Sequence, residues 1–320
     1  MKIPAGTKII KSREYEKTRA KTIEIPEGVD EIGEYAFAFS NTLEKVIIPK
    51  TVRKIGQKAF YRCFKLSEII IPEGIERIEP HTFEGCNFKS VLIPHSVLVI
   101  DDNAFRGCIR LTSILIPDSV YRIGERAFCG CRNLKEIVLP EHLDAIEREA
   151  FASTSLTSIK IPESVRYIGE RAFSLCNLTY VTIPSSTTRI CSAAFKDCSY
   201  LKALDIKDGE KTITIERDAF ENCKSLEKIL WTNRIEYIGG YAFASCMNLS
   251  SVMIPDSITH IEQGTFGNCR SLQKAYIPES VERIHKYAFT NCNSLKQVSI
   301  SQKIIVDESS FDDDTEITLF

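Results

Sequence analysis

A chain of 320 residues would ordinarily suggest two domains, and its 43% hydrophobic and 26% charged residues are an ordinary globular balance. The formal net charge of −2 leaves no general basic field to attract nucleic acid or anionic lipid. No stretch approaches the roughly 20 apolar residues of a membrane span.

From the first residues onward the chain rewrites one sentence. "IP" at residues 3–4 and Tyr15 mark a degenerate first unit over residues 1–24. After it a phenylalanine, usually in an Ala-Phe pair, returns at Phe37, Phe60, Phe83, Phe105, Phe128, Phe151, Phe173, Phe195, Phe220, Phe243, Phe266, Phe289 and Phe311. The intervals are 22 or 23 residues with a single 25. That gives about fourteen units of 22–25 residues and one repeat domain over 1–320, with 301–320 as a polar C-terminal cap.

Within a unit such as "LEKVIIP" (43–49), Leu43, Val46 and Ile48 are expected inward, and Lys45 and Ile47 outward on a short strand. Proline stands eleven residues before the Phe in ten units and ends that strand, because it cannot donate the next ladder hydrogen bond. A second apolar pair, such as Val165 and Ile168, lines the returning side. Gly169 is read as permitting a tight or left-handed turn, and Ala172 and Phe173 as a short helical or 3₁₀ turn with the ring inward. The one long interval holds "KDGEKT" (207–212), expected to bulge from the surface.

Ten of the twelve cysteines stand three residues after the Phe; Cys129 and Cys191 do not. A column of identical inward residues is a core column, and free cysteine is a small buried hydrophobe. Parallel stacked side chains suit a disulfide poorly, so the column is expected to be buried and reduced, with Thr154 filling the slot once. Cys129-Gly-Cys131 is a weak metal or redox signal.

A period of this length with L-x-x-V-x-I-P and I-G-x-x-A-F-x-x-C resembles the BspA-type (Treponema pallidum-type) leucine-rich repeats over about residues 3–311. Small or hydroxyl residues (Thr51, Ser96, Ser119, Ser164, Ser257 and Ser280) stand where common leucine-rich repeats carry Asn. The resemblance implies a leucine-rich repeat solenoid, with a parallel sheet on the concave side and short strands or 3₁₀ turns on the convex side. It also implies a bacterial surface protein of the adhesin type, recognising a host matrix or cell-surface protein.

Chemistry is sparse. The five histidines occupy different columns, no metal, nucleophile-elbow or phosphate-loop motif occurs, and Glu125, Glu170 and Glu216 read as a solvated mixed-charge face. "FDDDTE" (311–316) lacks the spacing of a calcium loop. No cofactor, metal or catalytic residue is expected. The outward column two residues before the proline position is more informative. Ile47, Ile70, Leu92, Leu115 and Val138 run without interruption. Leu230, Met253 and Tyr276 form a second run, and Tyr180 joins from the neighbouring outward column. A contiguous exposed apolar row marks an interface, so these nine residues are the expected partner-binding face of a non-catalytic protein-binding module. The alternatives are an intracellular scaffold or effector, self-association as a homodimer, or an enzyme with a site built across repeats. Nucleic acid and membrane insertion are not expected. The first 21 residues hold no apolar signal core and the last ten no lipidation box, which leaves the compartment open.

Overall fold

In the computed structural model, which describes residues 2–320, the chain packs as two compact units, Met1–Pro162 and Glu163–Phe320. Each is a parallel β-solenoid, and no helix occurs among the described residues. The repeat pattern runs on through the boundary without a break in its spacing.

In the first unit the first strand of each coil stacks in register with the next. Thr22–Glu24, Lys45–Ile47 and Glu68–Ile69 pair in parallel, with Ile23 opposite Val46 and Val46 opposite Ile69. Further along, Ser113–Leu115 pairs with Glu136–Val138, and Leu92 bridges to Leu115. The second unit repeats the arrangement with Tyr180–Ile183, Ala203–Ile206 and Lys228–Leu230, and then with Ser251–Met253 beside Lys274–Tyr276. Most of these strands are short because a proline closes them and its carbonyl starts a turn; Ala203–Ile206 and Lys228–Leu230 end without one. Val52 N–H, for example, donates to Pro49 O at 3.2 Å and Val120 N–H to Pro117 O at 3.0 Å. The hydroxyl two residues past the proline reaches back one coil: Thr51 to Val29 O, Ser96 to Ile75 O and Ser119 to Val97 O at 2.7–2.8 Å. A second set of two-residue strands returns on the other side, as in Arg77–Ile78, Val99–Ile100 and Arg122–Ile123.

The third side corrects the expected helical turn. Residues two before and two after the Phe have left-handed backbone: Tyr35 (φ 55) and Phe39 (φ 58) around Phe37, Asp218 (φ 59) and Asn222 (φ 63) around Phe220. A left-handed residue at every fourth position ends any 3₁₀ run. It also turns alternate amides along the stack, so Tyr35, Phe37 and Phe39 donate to Gln57, Ala59 and Tyr61 of the next coil at 3.1, 2.8 and 2.7 Å. The glycine of the I-G pair has a different role from the one expected. Gly33, Gly56, Gly124 and Gly239 are not left-handed. A Cβ on Gly56 would stand 2.8 Å from Glu34 N, so glycine serves close approach between coils.

The core is a set of columns. The Phe rings are fully buried and stack almost flat: Phe105 to Phe128 to Phe151 at centroid distances of 5.5 and 5.7 Å in the first unit, Phe195 to Phe220 to Phe243 at 5.1 and 5.2 Å in the second. Tyr15 stacks on Phe37 at 5.6 Å and so takes the first position of the column. None of the twelve cysteines is disulfide-bonded, and the ten of the column are buried. They are more than small hydrophobes. Cys63 Sγ lies 3.1 Å from Phe37 O, Cys108 Sγ 3.2 Å from Phe83 O and Cys223 Sγ 3.3 Å from Phe195 O. The thiol is a weak donor, and here it adds a second bond to carbonyls of the preceding coil such as Phe83 O and Phe195 O, which already accept the Cys86 and Cys198 amides of their own turns.

The 207–212 segment is exposed, apart from half-buried Gly209, and is held from beneath. Arg234, 6% exposed, donates to Lys207 O (2.6 Å), Thr187 O (2.7 Å), Pro184 O (2.9 Å) and Lys211 O (3.3 Å). Burial lowers its pKa below the usual guanidinium range.

Candidate functional site

The alternation of inward and outward side chains along each first strand decides the surface. Ile69 and Ile71 face inward while Ile70 stands out, and Ile114 and Ile116 are buried on either side of exposed Leu115. All nine expected residues are exposed, from 39% at Leu230 to 75% at Ile70. In the first unit Ile47, Ile70, Leu92, Leu115 and Val138 form one continuous row. A hollow of ≈ 1030 Å³ lies over Ile47, Ile70 and Leu92, floored by Val46, Ile48, Ile69 and Ile71 and bounded by Lys45, Lys50, Glu68 and Glu73. A second, of ≈ 420 Å³, continues over Leu92, Leu115 and Val138. Beside the row Lys45 Nζ and Glu68 Oε2 pair at 2.7 Å on the surface, an exposed bridge of little energetic weight.

In the second unit Met253 and Tyr276 face outward side by side, over a hollow of ≈ 570 Å³ shared with Lys274 and Gln297. Leu230 and Met253 border another of ≈ 430 Å³ with Asp205, Trp231 and Asp256. Tyr180 is less free than the others, because its hydroxyl donates to Asp205 Oδ2 at 3.0 Å. Asp205 also receives Lys207 Nζ at 2.7 Å and is buried, so the outward column is closed over at that point.

The titratable groups are mostly stitches between coils. Asp101, 7% exposed, takes Arg77 Nη1 at 2.5 Å and Arg122 Nη1 at 2.8 Å. Burial alone would raise its pKa, but the bonds from Arg122 and Arg77 and the Asp102 amide hold it below the usual carboxylate range. Glu216, expected on a solvated face, is instead half-buried and bonded to Arg189 and to Ser192 N and Oγ. Two histidines expected to share nothing come together: His260 and His285 stack at 5.8 Å, and His285 Nδ1 lies 3.4 Å from Asp307. His260 stands opposite Arg283 in the strand register and its ring meets His285 on the diagonal, a relation invisible when columns are compared only with themselves. In the C-terminal acidic segment Asp314 pairs with Lys296, and Asp312 accepts Asn291 N–H at 2.6 Å. Among the described residues no three His, Cys, Asp or Glu side chains are placed to hold a metal ion. Cys129, half-buried in the C-x-C pair, has a raised pKa, first through burial and then through Glu149, which disfavours the reactive thiolate.

Stacked parallel strands, a buried aromatic column and proline-ended units define a leucine-rich repeat solenoid. The profile of the BspA type leucine rich repeat region matches residues 1–108, 76–202 and 199–318 in six copies, and the chain belongs to that family. Among solved structures it is similar to a leucine-rich repeat protein of Bacteroides ovatus (27% identity, TM-score 0.61), over 93% of this chain and 92% of the other. It is also similar to a leucine rich cell surface protein of Faecalibacterium prausnitzii (26% identity, TM-score 0.52, over 97% of this chain and 88% of the other). A leucine-rich repeat protein of Eubacterium ventriosum shares the fold at 20% identity and a TM-score of 0.54, over 96% and 86% of the two chains. A comparison with curated proteins gave no match.

Proposed function

We propose that this chain is a non-catalytic protein-binding module that recognises a protein partner through the outward face of its first-strand sheet. The observation that carries this reading is the uninterrupted exposed row Ile47, Ile70, Leu92, Leu115 and Val138, lying over a hollow with apolar floor and charged rim, the composition of a protein interface. Leu230, Met253 and Tyr276 of the second unit, with Tyr180 beside them, extend the proposal. A bacterial surface role, with a host matrix or cell-surface protein as partner, is supported by the Faecalibacterium relative described as a cell surface protein. Immobilised matrix proteins and intact cells are the test, with wild type compared against Ile70→Asp/Leu115→Asp. Both positions are exposed, so the variant is expected to fold as wild type does and to lose binding by at least about tenfold, as when centrally placed contacts are removed. Equal binding by a folded variant would sink the reading.

A further inference from the structure

The apolar row of the first unit has two unlike edges. Each coil reaches it through the loop after the Phe and leaves it through the turn after the proline. Around Ile70 the entering loop carries Arg62 and Lys65 and the leaving turn Glu73 and Glu76. Around Leu115 they carry Arg110 and Asp118, and around Val138 Arg132 and Lys135 against Glu141 and Asp144. In the one coil where the leaving turn is basic, Lys50 and Arg53 beside Ile47, the entering loop reverses too and carries Glu44. Around Leu92, the entering loop carries Lys89 and the leaving turn His95, with no carboxylate. All of these residues are exposed; the Arg53 guanidinium donates to Lys50 O and Glu73 O at 3.1 Å, and Glu141 pairs with Lys160 at 2.6 Å. Among the described residues Lys65, Lys89, Arg110, Glu73 and Asp118 form no salt bridge within the molecule.

Such a surface is complementary to itself. A two-fold axis along the row turns one copy face-down on another, keeps coil opposite coil and exchanges the edges. Arg62 and Lys65 then meet Glu73 and Glu76, Arg110 meets Asp118, and Glu44 meets Lys50 and Arg53, each twice. A two-fold axis along the strands would instead put basic edge on basic edge in the middle of the row. We infer that the first unit's outward face is an isologous contact between two copies of this chain, row on row and coil on coil, with the charged edges setting the register. The inference rests on the reading of that row as a protein-contact surface and names its occupant. It leaves Leu230, Met253 and Tyr276 of the second unit for a different partner.

The test is sedimentation velocity on the full chain over a dilution series. Wild type is expected to dimerise, and more weakly as salt rises, because exposed charge pairs are screened. Lys65→Glu/Arg110→Glu sets acid opposite acid around Ile70 and Leu115, and Glu73→Lys/Asp118→Lys sets base opposite base there. Each is expected to weaken self-association by at least about tenfold, since four contacts become repulsive. An equimolar mixture of the two is expected to dimerise again. Val138→Cys, at the end of the row, should cross-link to its own copy under mild oxidation. Cross-linking only between Val138→Cys and Ile47→Cys would mean antiparallel rows and overturn the proposal. So would a salt-insensitive dimer, or a mixture that stays monomeric while circular dichroism shows both variants folded. A wild type that remains monomeric to its solubility limit refutes self-association. If that monomer still captures a matrix protein in an Ile70/Leu115-dependent way, the binding-module reading survives alone.

Discussion

Phe128→Ala removes one ring from the middle of the first unit's aromatic column. Phe128 is wholly buried between Phe105 and Phe151, with ring planes within 3° and 4° of parallel. Phe-to-Ala truncation at a site that cannot collapse costs about 3–5 kcal/mol. Two ring contacts of about 0.5–1.5 kcal/mol each account for about 1–3 of it. Collapse is resisted here because the backbone around the ring is pinned to both neighbours: Phe105 N–H bonds Ala127 O and Phe128 N–H bonds Ala150 O, both at 2.9 Å. Stability in a solenoid is a sum over units and their interfaces, so the loss should be local. Urea unfolding followed by circular dichroism measures the total. Hydrogen exchange measures the place, with the amides of Phe105, Phe128 and Gly130 losing protection and those around Tyr15 and Phe37 keeping theirs. A cost below about 1 kcal/mol would mean that the stack carries little of the coil's stability, contrary to the cavity argument.

Three further outcomes follow from particular bonds. Asp101 has its folded pKa lowered, so its stabilisation is present above its ordinary value near 3.8 and is lost as pH falls through the lowered folded value. Asp101→Asn should cost about 1–3 kcal/mol at neutral pH and flatten the acid limb of a stability–pH curve; an unchanged limb would refute the assignment. Burial pushes the Cys63, Cys108 and Cys292 thiols up to about 12. Iodoacetamide on the native protein should therefore modify at most Cys129 and Cys191, the two half-buried thiols, with the column reacting only after unfolding. Mass spectrometry counts the adducts, and rapid native labelling of Cys108 would contradict the buried column. Arg234→Ala takes a donor from four carbonyls and removes the support of 207–212. Limited proteolysis should then cut within 207–212, with a stability loss of about 2–4 kcal/mol from the charge-assisted bonds; resistance equal to wild type would show that the segment is held some other way.

Much of this molecule was legible before any coordinates, because a repeat states each rule a dozen times. The period, the proline that ends the first strand in ten units, the inward Phe and Cys columns and the outward row from Ile47 to Val138 all follow from apolar spacing and from what proline cannot donate. Alternation alone is enough to say that Ile70 is outside and Ile71 inside. What it does not say is which way a turn bends. Asn222, Tyr35 and Arg126 share no side-chain preference that marks them as left-handed; the amides of the next coil impose that geometry on them. The Cys column read as apolar filling became a ladder of weak donors because stacking points each thiol at a Phe carbonyl of the preceding coil, a fact of backbone direction rather than composition. Glu216 moved from a solvated face to a bonded one, and His260 met His285, because coils stacked about 5 Å apart bring together residues some 22–25 positions apart. Arg234 reaches further still, to Pro184 and Thr187, fifty and forty-seven residues away. The sequence by itself determined the coil and the side chains it presents. The contacts between coils belonged to the tertiary structure, since they depend on direction and distance across the stack, which a linear pattern does not carry.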